Sequence, residues 1–372
     1  MKKIALAAAA MAAVAALALT GCSGGARTDA ASTDAAATGF AADATIGVAL
    51  PDKTSENWVL AGDLFTSGLT DAGFKPDVQY APATNTVAEQ QNQISAMITN
   101  GAKVIVIGAK DGKQLGTQLQ QAADAGVKII AYDRLIENTP NVDFYVAFDN
   151  FKVGELQGQA LLDGLEARSG HGAPWNIELF SGSPDDANAA VFFDGAMKVL
   201  QPKIDDGTLV VVSGQTEVAQ TATQGWKAEN AQSRMDSLMV ANYASTPIDG
   251  VLSPNDTLAR AIITSVKQAG TDITKFTVTG QDSEAESVKS IMAGEQYSTI
   301  NKDTTLLVAQ TIDMIISLQK GEEPEVNDTE QYDNGVKVVP AFLLPPVIVT
   351  GENAAEAYAN SPKLLEIVNA AQ

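Results

Sequence analysis

Val127-Lys128-Ile129-Ile130-Ala131-Tyr132-Asp133-Arg134 is the stretch on which the reading of this chain turns. Its leading residues are apolar and partly β-branched, the mark of a strand buried on both faces. A carboxylate and a guanidinium follow where that strand must end. Ligands of open α/β sheets collect just outside the carboxyl ends of the strands, so Asp133 and Arg134 stand at a candidate site. An ion pair that merely caps the strand fits the same two residues. Which reading holds depends on whether other strands end in the same way.

Upstream, the pattern predicts a strand at 46–50, a helix at 58–72, a strand at 77–80, a helix at 86–100 stopped by Gly101, a strand at 104–107 and a helix at 114–125 stopped by Gly126. A strand at 145–148 closes this series. A second series follows, with helices at 153–165, 189–200, 228–243 and 257–268 between strands at 177–180, 209–212, 250–252 and 276–279. The remainder reads as a helix at 285–293, a strand at 298–300, a helix at 304–318 and one apolar strand at 336–349. These last pieces are too few for a third domain. The expectation is an α/β fold of two similar Rossmann-like lobes with parallel sheets, joined by a multi-stranded hinge. The expected division is 45–148 plus 303–328 for the first lobe and 149–302 plus 329–372 for the second.

The N-terminus reads as an address. Lys2 and Lys3 precede an Ala/Leu/Val run that ends in Leu19-Thr20-Gly21-Cys22. That ending resembles a bacterial lipobox, which implies a signal peptide at 1–21 and a lipid anchor on Cys22. A secretory signal with an incidental cysteine is the alternative. Residues 22–44 are mostly small and polar and read as a flexible tether. Cys22 is the only cysteine in the chain, so no internal disulfide can form.

The 372 residues carry 24 Lys+Arg against 45 Asp+Glu, a net charge of -21, which makes nucleic acid and anionic membrane surfaces poor partners. A single histidine leaves little for nucleophile chemistry or a histidine-rich metal site. The first strand-helix turn lacks Gly-x-Gly-x-x-Gly, no Gly-x-x-x-x-Gly-Lys-Ser/Thr occurs, and Ser183 is not in a Gly-x-Ser-x-Gly elbow. A binding protein is expected, with no catalytic residue, metal or cofactor.

Polar groups recur where strands end: Asp52-Lys53 with Asn57-Trp58, Asp133-Arg134, Asp186 with Asn188, Asn255-Asp256, Gln281-Asp282 and Asn301-Lys302. Each could be a helix N-cap alone, as the types of Asp186 and Asp256 suit. Together they describe a cleft lined from both lobes. Carboxylates, amides and cations in near balance suit a neutral ligand rich in hydroxyls, since a hydroxyl donates to Asp and accepts from Arg or Lys at once. Trp58 and Trp226 offer flat faces for the C–H side of a sugar ring, or are ordinary core.

Tyr132-Asp133-Arg134-Leu135, the run from Glu178 through Asp186 to Asn188, Ser253-Pro254-Asn255-Asp256 and Gly280-Gln281-Asp282 together resemble the substrate-binding proteins of bacterial ABC sugar importers. So do Asn327-Asp328-Thr329 and the run from Asn334 to Pro340. The nearest branch is the xylose-binding and multiple-sugar-binding one. The resemblance extends from Thr45 onward and implies a type I periplasmic-binding-protein fold, closing on a xylose-, glucose-, galactose- or arabinose-class monosaccharide. The partners it implies are an ABC permease and ATPase, served by a monomeric lipoprotein held outside the cytoplasm. It further implies that Asp133 and Arg134 hold the sugar from the first lobe, and Asp186, Asn188, Asn255 and Asp282 from the second. Lys302 would sit at a crossover and Trp226 would stack on the ring. Where the family carries an Arg before the first-loop Trp, this chain has Asn57, and Lys53 is the candidate to compensate. A sugar sensor read by a chemoreceptor or a histidine kinase is the alternative role on the same fold.

Overall fold

The computed structural model describes residues 39–82 and 87–371. The expected signal, Cys22 and most of the tether lie outside them, as does Thr86, the expected first residue of the second helix.

The first series alternates β1 (Thr45–Leu50), α1 (Glu56–Asp71), β2 (Lys75–Tyr80), α2 (Val87–Thr99), β3 (Val104–Ile107), α3 (Gly116–Asp124), β4 (Lys128–Tyr132) and β5 (Phe144–Phe148). The strands run parallel in the order β2-β1-β3-β4-β5. Successive side chains of a strand point to opposite faces. Accordingly Ile105, Ile107, Ile129 and Ala131 join one core with Ile94 and Leu119. Val104, Val106, Ile130 and Tyr132 join the other, with Phe65 and Leu69. Because both faces are covered, β1, β3, β4 and β5 read as largely apolar runs rather than alternating ones, whereas the edge strand β2 does not.

The second series is α4 (Asn150–Arg168), β6 (Trp175–Leu179), α5 (Ala187–Asp205), β7 (Leu209–Val211), α6 (Val218–Thr221), α7 (Ala228–Ala241), β8 (Gly250–Leu252), α8 (Asp256–Gln268), β9 (Thr277–Val278) and α9 (Ala285–Met292). Its strands are again parallel, in the order β7-β6-β8-β9, which repeats the arrangement of the first sheet on a smaller scale.

The last stretch holds β10 (Ser298–Asn301), α10 (Thr304–Lys320), β11 (Ala341–Leu344), β12 (Val347–Thr350), α11 (Ala354–Ala357) and α12 (Pro362–Ala371). The single strand expected at 336–349 is two strands. Pro345 and Pro346 lie between them, and a residue without an N–H cannot continue a ladder. β11 pairs with β5 at the edge of the first sheet, whereas β12 pairs antiparallel with β10 beside the second. The expected lobe division is corrected accordingly: the stretch from 329 to 344 belongs with the first lobe. Tyr332 and Val339 are buried in its core, and the Asn334 amide donates to the carbonyls of Ile136 (3.1 Å) and Thr139 (2.8 Å). α10 likewise returns to the first lobe, packing against α1 and β5, with Met314 and Ile315 in the same core as Val48 and Val104. The chain therefore passes between lobes three times: after β5, between β10 and α10, and between β11 and β12.

Candidate functional site

A cavity of about 490 Å³ lies where the carboxyl ends of the two parallel sheets meet. That is within the roughly 300–1,000 Å³ of small-molecule sites. Of the strand-end residues singled out in the sequence, together with Trp226, all but Lys53, Asp256 and Asn301 line it.

On the first lobe, β4 ends and Asp133 turns the chain with φ 62, a left-handed conformation uncommon for a residue with a side chain. The turn is held on all sides. The Asp133 N–H donates to the Val146 carbonyl (2.8 Å), and its own carbonyl accepts from the Tyr145 hydroxyl (2.8 Å) and the Asn188 amide (2.7 Å). Burial pushes the Asp133 carboxyl above the usual range, while Lys302 and Arg134 pull it back and Asp186 and Asp282 push it again. Arg134 follows. Its Nη1 donates to the Ala109 carbonyl (3.1 Å), its guanidinium lies 5.4 Å from the Trp58 ring, and its Nε stands 3.0 Å from Asp186 Oδ2 across the cleft. That last contact is an ion pair without hydrogen-bond alignment.

On the second lobe, Asp186 caps α5 by accepting from the Asn188 N–H (3.0 Å), and its Oδ2 also accepts from Trp226 Nε1 (3.1 Å). Trp226 lies so close over Gly182 that a Cβ there would collide with its ring. Trp58 approaches Gly108 in the same fashion on the first lobe. Asn188 accepts from the Asn150 amide (3.0 Å) and donates one of its two amide protons to Asp133, which leaves the other for the cavity. Asn255 caps α8 through the Leu258 N–H (2.9 Å) while facing the cavity. Asp282 also takes a positive φ, 97, and its carboxylate pairs with Lys302 at 2.9 Å. Burial works against the charge on Lys302, but Asp282, Asp133 and Asp186 outweigh it and leave the ammonium harder to deprotonate than usual. Both groups of an earlier ambiguity are thus resolved: Asp133 and Arg134 are not a mutual cap, since Arg134 pairs with the opposite lobe.

Three expectations change. Asp256 is fully buried and does not line the cavity. Its carboxylate accepts from Gln296 Nε2 (2.8 Å), the Glu284 N–H (2.9 Å) and the Thr299 hydroxyl (3.0 Å). It is a brace beneath the loop that carries Asp282. Burial, then the neighbouring Glu284 and Asp282, push its carboxyl well up. Lys53 points outward, with its ammonium 4.5 Å from the Tyr80 ring, and adds no cation to the cavity. Asn57 lines the cavity, yet its amide donates to the Asp282 carbonyl (3.2 Å), tying α1 to the opposite lobe. The cations that sequence reasoning missed are Lys227 and Lys110; both line the cavity, and Lys110 pairs with Asp52 at 3.1 Å. Lys110 follows β3, so the strand-end rule applied to that strand would have found it. Phe192, one helical turn after Asn188, was missed as well and lies 5.5 Å from the Lys302 ammonium.

Residues 46–323 match the model of the periplasmic binding protein domain. Over 318 residues the chain is 52% identical to the multiple sugar-binding periplasmic receptor ChvE of Rhizobium radiobacter, covering 84% of this chain and 89% of the relative. Over 313 residues it is 36% identical to the D-xylose-binding periplasmic protein of Escherichia coli (strain K12), covering 84% and 88%. An ABC transporter solute binding protein from Clostridium phytofermentans, solved with bound β-D-glucose, superposes with a TM-score of 0.81 at 40% identity. That match covers 86% of this chain and 99% of the other. Two parallel-sheet lobes, three crossings and a polar cavity at the strand ends agree with these likenesses: the chain belongs to the periplasmic binding protein family, with the type I fold, in its xylose-binding and multiple-sugar-binding branch.

Proposed function

We propose that this protein binds one neutral monosaccharide of the xylose, glucose, galactose or arabinose class between its lobes and hands it, unchanged, to an ABC permease and its ATPase. The observation that carries this reading is the meeting, in one cavity, of Asp133, Arg134 and Asp186 with Asp282 and Lys302. A sugar hydroxyl satisfies such pairs by donating to a carboxylate while accepting from a cation, each such bond being worth about 1.5–3 kcal/mol. Six carboxylates against four cations line the cavity, which makes it unfavourable for an anion. Trp58 and Trp226 supply apolar surface for the C–H face of a pyranose. The lobe-to-lobe bonds of Asn57 and Asn188 support a closed form that a permease can distinguish from an open one. The names of the multiple-sugar and xylose relatives, and the glucose in the solved one, support the ligand class.

The test is a panel of xylose, glucose, galactose, arabinose, ribose and inorganic phosphate against the purified protein, read by thermal shift and then by calorimetry. A ligand that binds only the folded state raises the melting temperature. The reading expects a rise with xylose or glucose and none with phosphate; a melting temperature unmoved by every neutral sugar overturns it.

The same reading places the protein outside the cytoplasm, as a monomer tethered by a diacylglycerol on Cys22. The support is the Leu19-Thr20-Gly21-Cys22 motif and the small, polar stretch that follows it. Cys22→Ser should move the protein from the membrane fraction to the soluble one, and unchanged fractionation rejects the anchor.

A further inference from the structure

Asp282 and Ser283 are consecutive non-glycine residues with positive φ, 97 and 52. Such a turn is sparsely populated on its own and persists only where its surroundings impose it. The Asp282 N–H donates to the Ile300 carbonyl (2.9 Å), the Ser283 N–H to the Thr299 hydroxyl (3.2 Å), and the next N–H, of Glu284, to the buried Asp256 carboxylate. The side-chain contact comes from elsewhere. Tyr358, fully buried after the short helix α11, donates its hydroxyl to Ser283 Oγ (2.8 Å). Burial raises the pKa of that phenol, so it keeps its proton and remains a donor. Tyr358 also packs with Val288, Val349 and Val368, joining α9, β12 and α12 in one small core. Tyr358, Val349 and Val368 lie beyond residue 323, where the match to the domain model ends, whereas Ser283 and Val288 lie within it.

We propose that Tyr358 is a positioning residue for the ligand site: through Ser283 it fixes the left-handed turn that aims the Asp282 carboxylate at Lys302 and the cavity. It touches no cavity surface itself. The C-terminal segment is thereby part of the binding apparatus rather than an appendage to the second lobe. A phenol serves here because a rigid ring anchored in apolar packing holds its hydroxyl at one point with little rotamer freedom left to lose.

The inference rests on the sugar-binding reading, so its test carries one arm that needs no sugar. In the sugar-free protein, Tyr358→Phe should speed amide hydrogen exchange in the peptide holding Asp282 and Ser283 by about tenfold, with β1 unchanged. In calorimetry with whichever monosaccharide binds the wild type, the same variant should weaken affinity about tenfold, with the sugar-free melting temperature within about 4 °C of wild type. In a background already carrying Asp282→Ala, Tyr358→Phe should change affinity less than about twofold, because its route to the ligand is gone. Ser283→Ala should reproduce the effect from the other side of the bond. Unchanged exchange at the Asp282 turn, or an equal affinity loss with and without Asp282, overturns the proposal. Should the wild type bind no sugar at all, the sugar-binding reading fails, and the exchange arm alone decides whether Tyr358 fixes the turn.

Discussion

The two aspartates that face the cavity from opposite lobes are built alike and wired differently. Asp133 and Asp282 each follow a strand, each take a positive φ, and each offer a backbone carbonyl to an asparagine of the other lobe, Asn188 in one case and Asn57 in the other. Their cations behave in opposite ways. Lys302 pairs with Asp282 on its own side, whereas Arg134 passes over Asp133 and pairs with Asp186 across the cleft. Asp133 is thus left with a carboxylate for the ligand, and the Arg134 contact exists only when the lobes meet. One strand end holds a permanent pair; the other holds half of a pair that closure completes.

The largest test of that difference is to remove each cation. Arg134→Ala strips the partner from a nearly buried Asp186 in the closed form, a change that typically costs about 3 kcal/mol or more, on the order of a hundredfold in affinity. The sugar-free melting temperature should fall only by the loss of the Ala109 bond and the Trp58 contact, less than for Lys302→Ala, since Asp186 lies on the other lobe. Lys302→Ala should lower both affinity and the sugar-free melting temperature. Equal thermal behaviour of the two variants breaks the comparison.

Asp133→Ala comes next, with an expected loss of about 1.5–3 kcal/mol in calorimetry, roughly ten- to a hundredfold. Acidity sharpens this case. Burial raises the Asp133 carboxyl in the free protein, and hydroxyls donating to the carboxylate favour its ionised form. The bound pKa is therefore lower than the free one, and the free protein carries more protons between the two. Affinity should rise with pH across that window and level off above the raised pKa. Asp133→Asn should flatten the profile; a wild-type affinity constant through acid pH rejects it. Asn57→Ala is the smallest, a neutral bond worth about 0.5–1.5 kcal/mol. Its signature should be faster sugar release in stopped flow, because the tie exists only between closed lobes, and an unchanged release rate argues against it.

Much of this architecture was legible because parallel strands buried on both faces write long apolar runs, and because the polar groups that follow them stand at strand ends. Asp133, Arg134 and Asp282 were found that way. What was not legible depended on direction rather than type. Asn255 and Asp256 are adjacent and both suit a cap, but only the first caps α8 and faces the cavity; the second folds back under Gly280–Glu284. Lys53 and Lys110 are interchangeable on paper, and the packing of Lys53 against Tyr80 decides between them. The lobe assignment of 329–344 failed because pairing of β11 with β5 joins residues far apart in sequence, a contact that periodicity does not report.

The three crossings have a mechanical corollary. Three connections side by side resist twisting and sliding, so opening is confined to rotation about one line near the crossings, as a door on several hinges swings without wobbling. Lys302 stands in one of those connections, directly after β10. A group near the axis moves little while the rims travel far, so on the proposed sugar-binding reading Lys302 would keep its place beside the ligand through the whole swing.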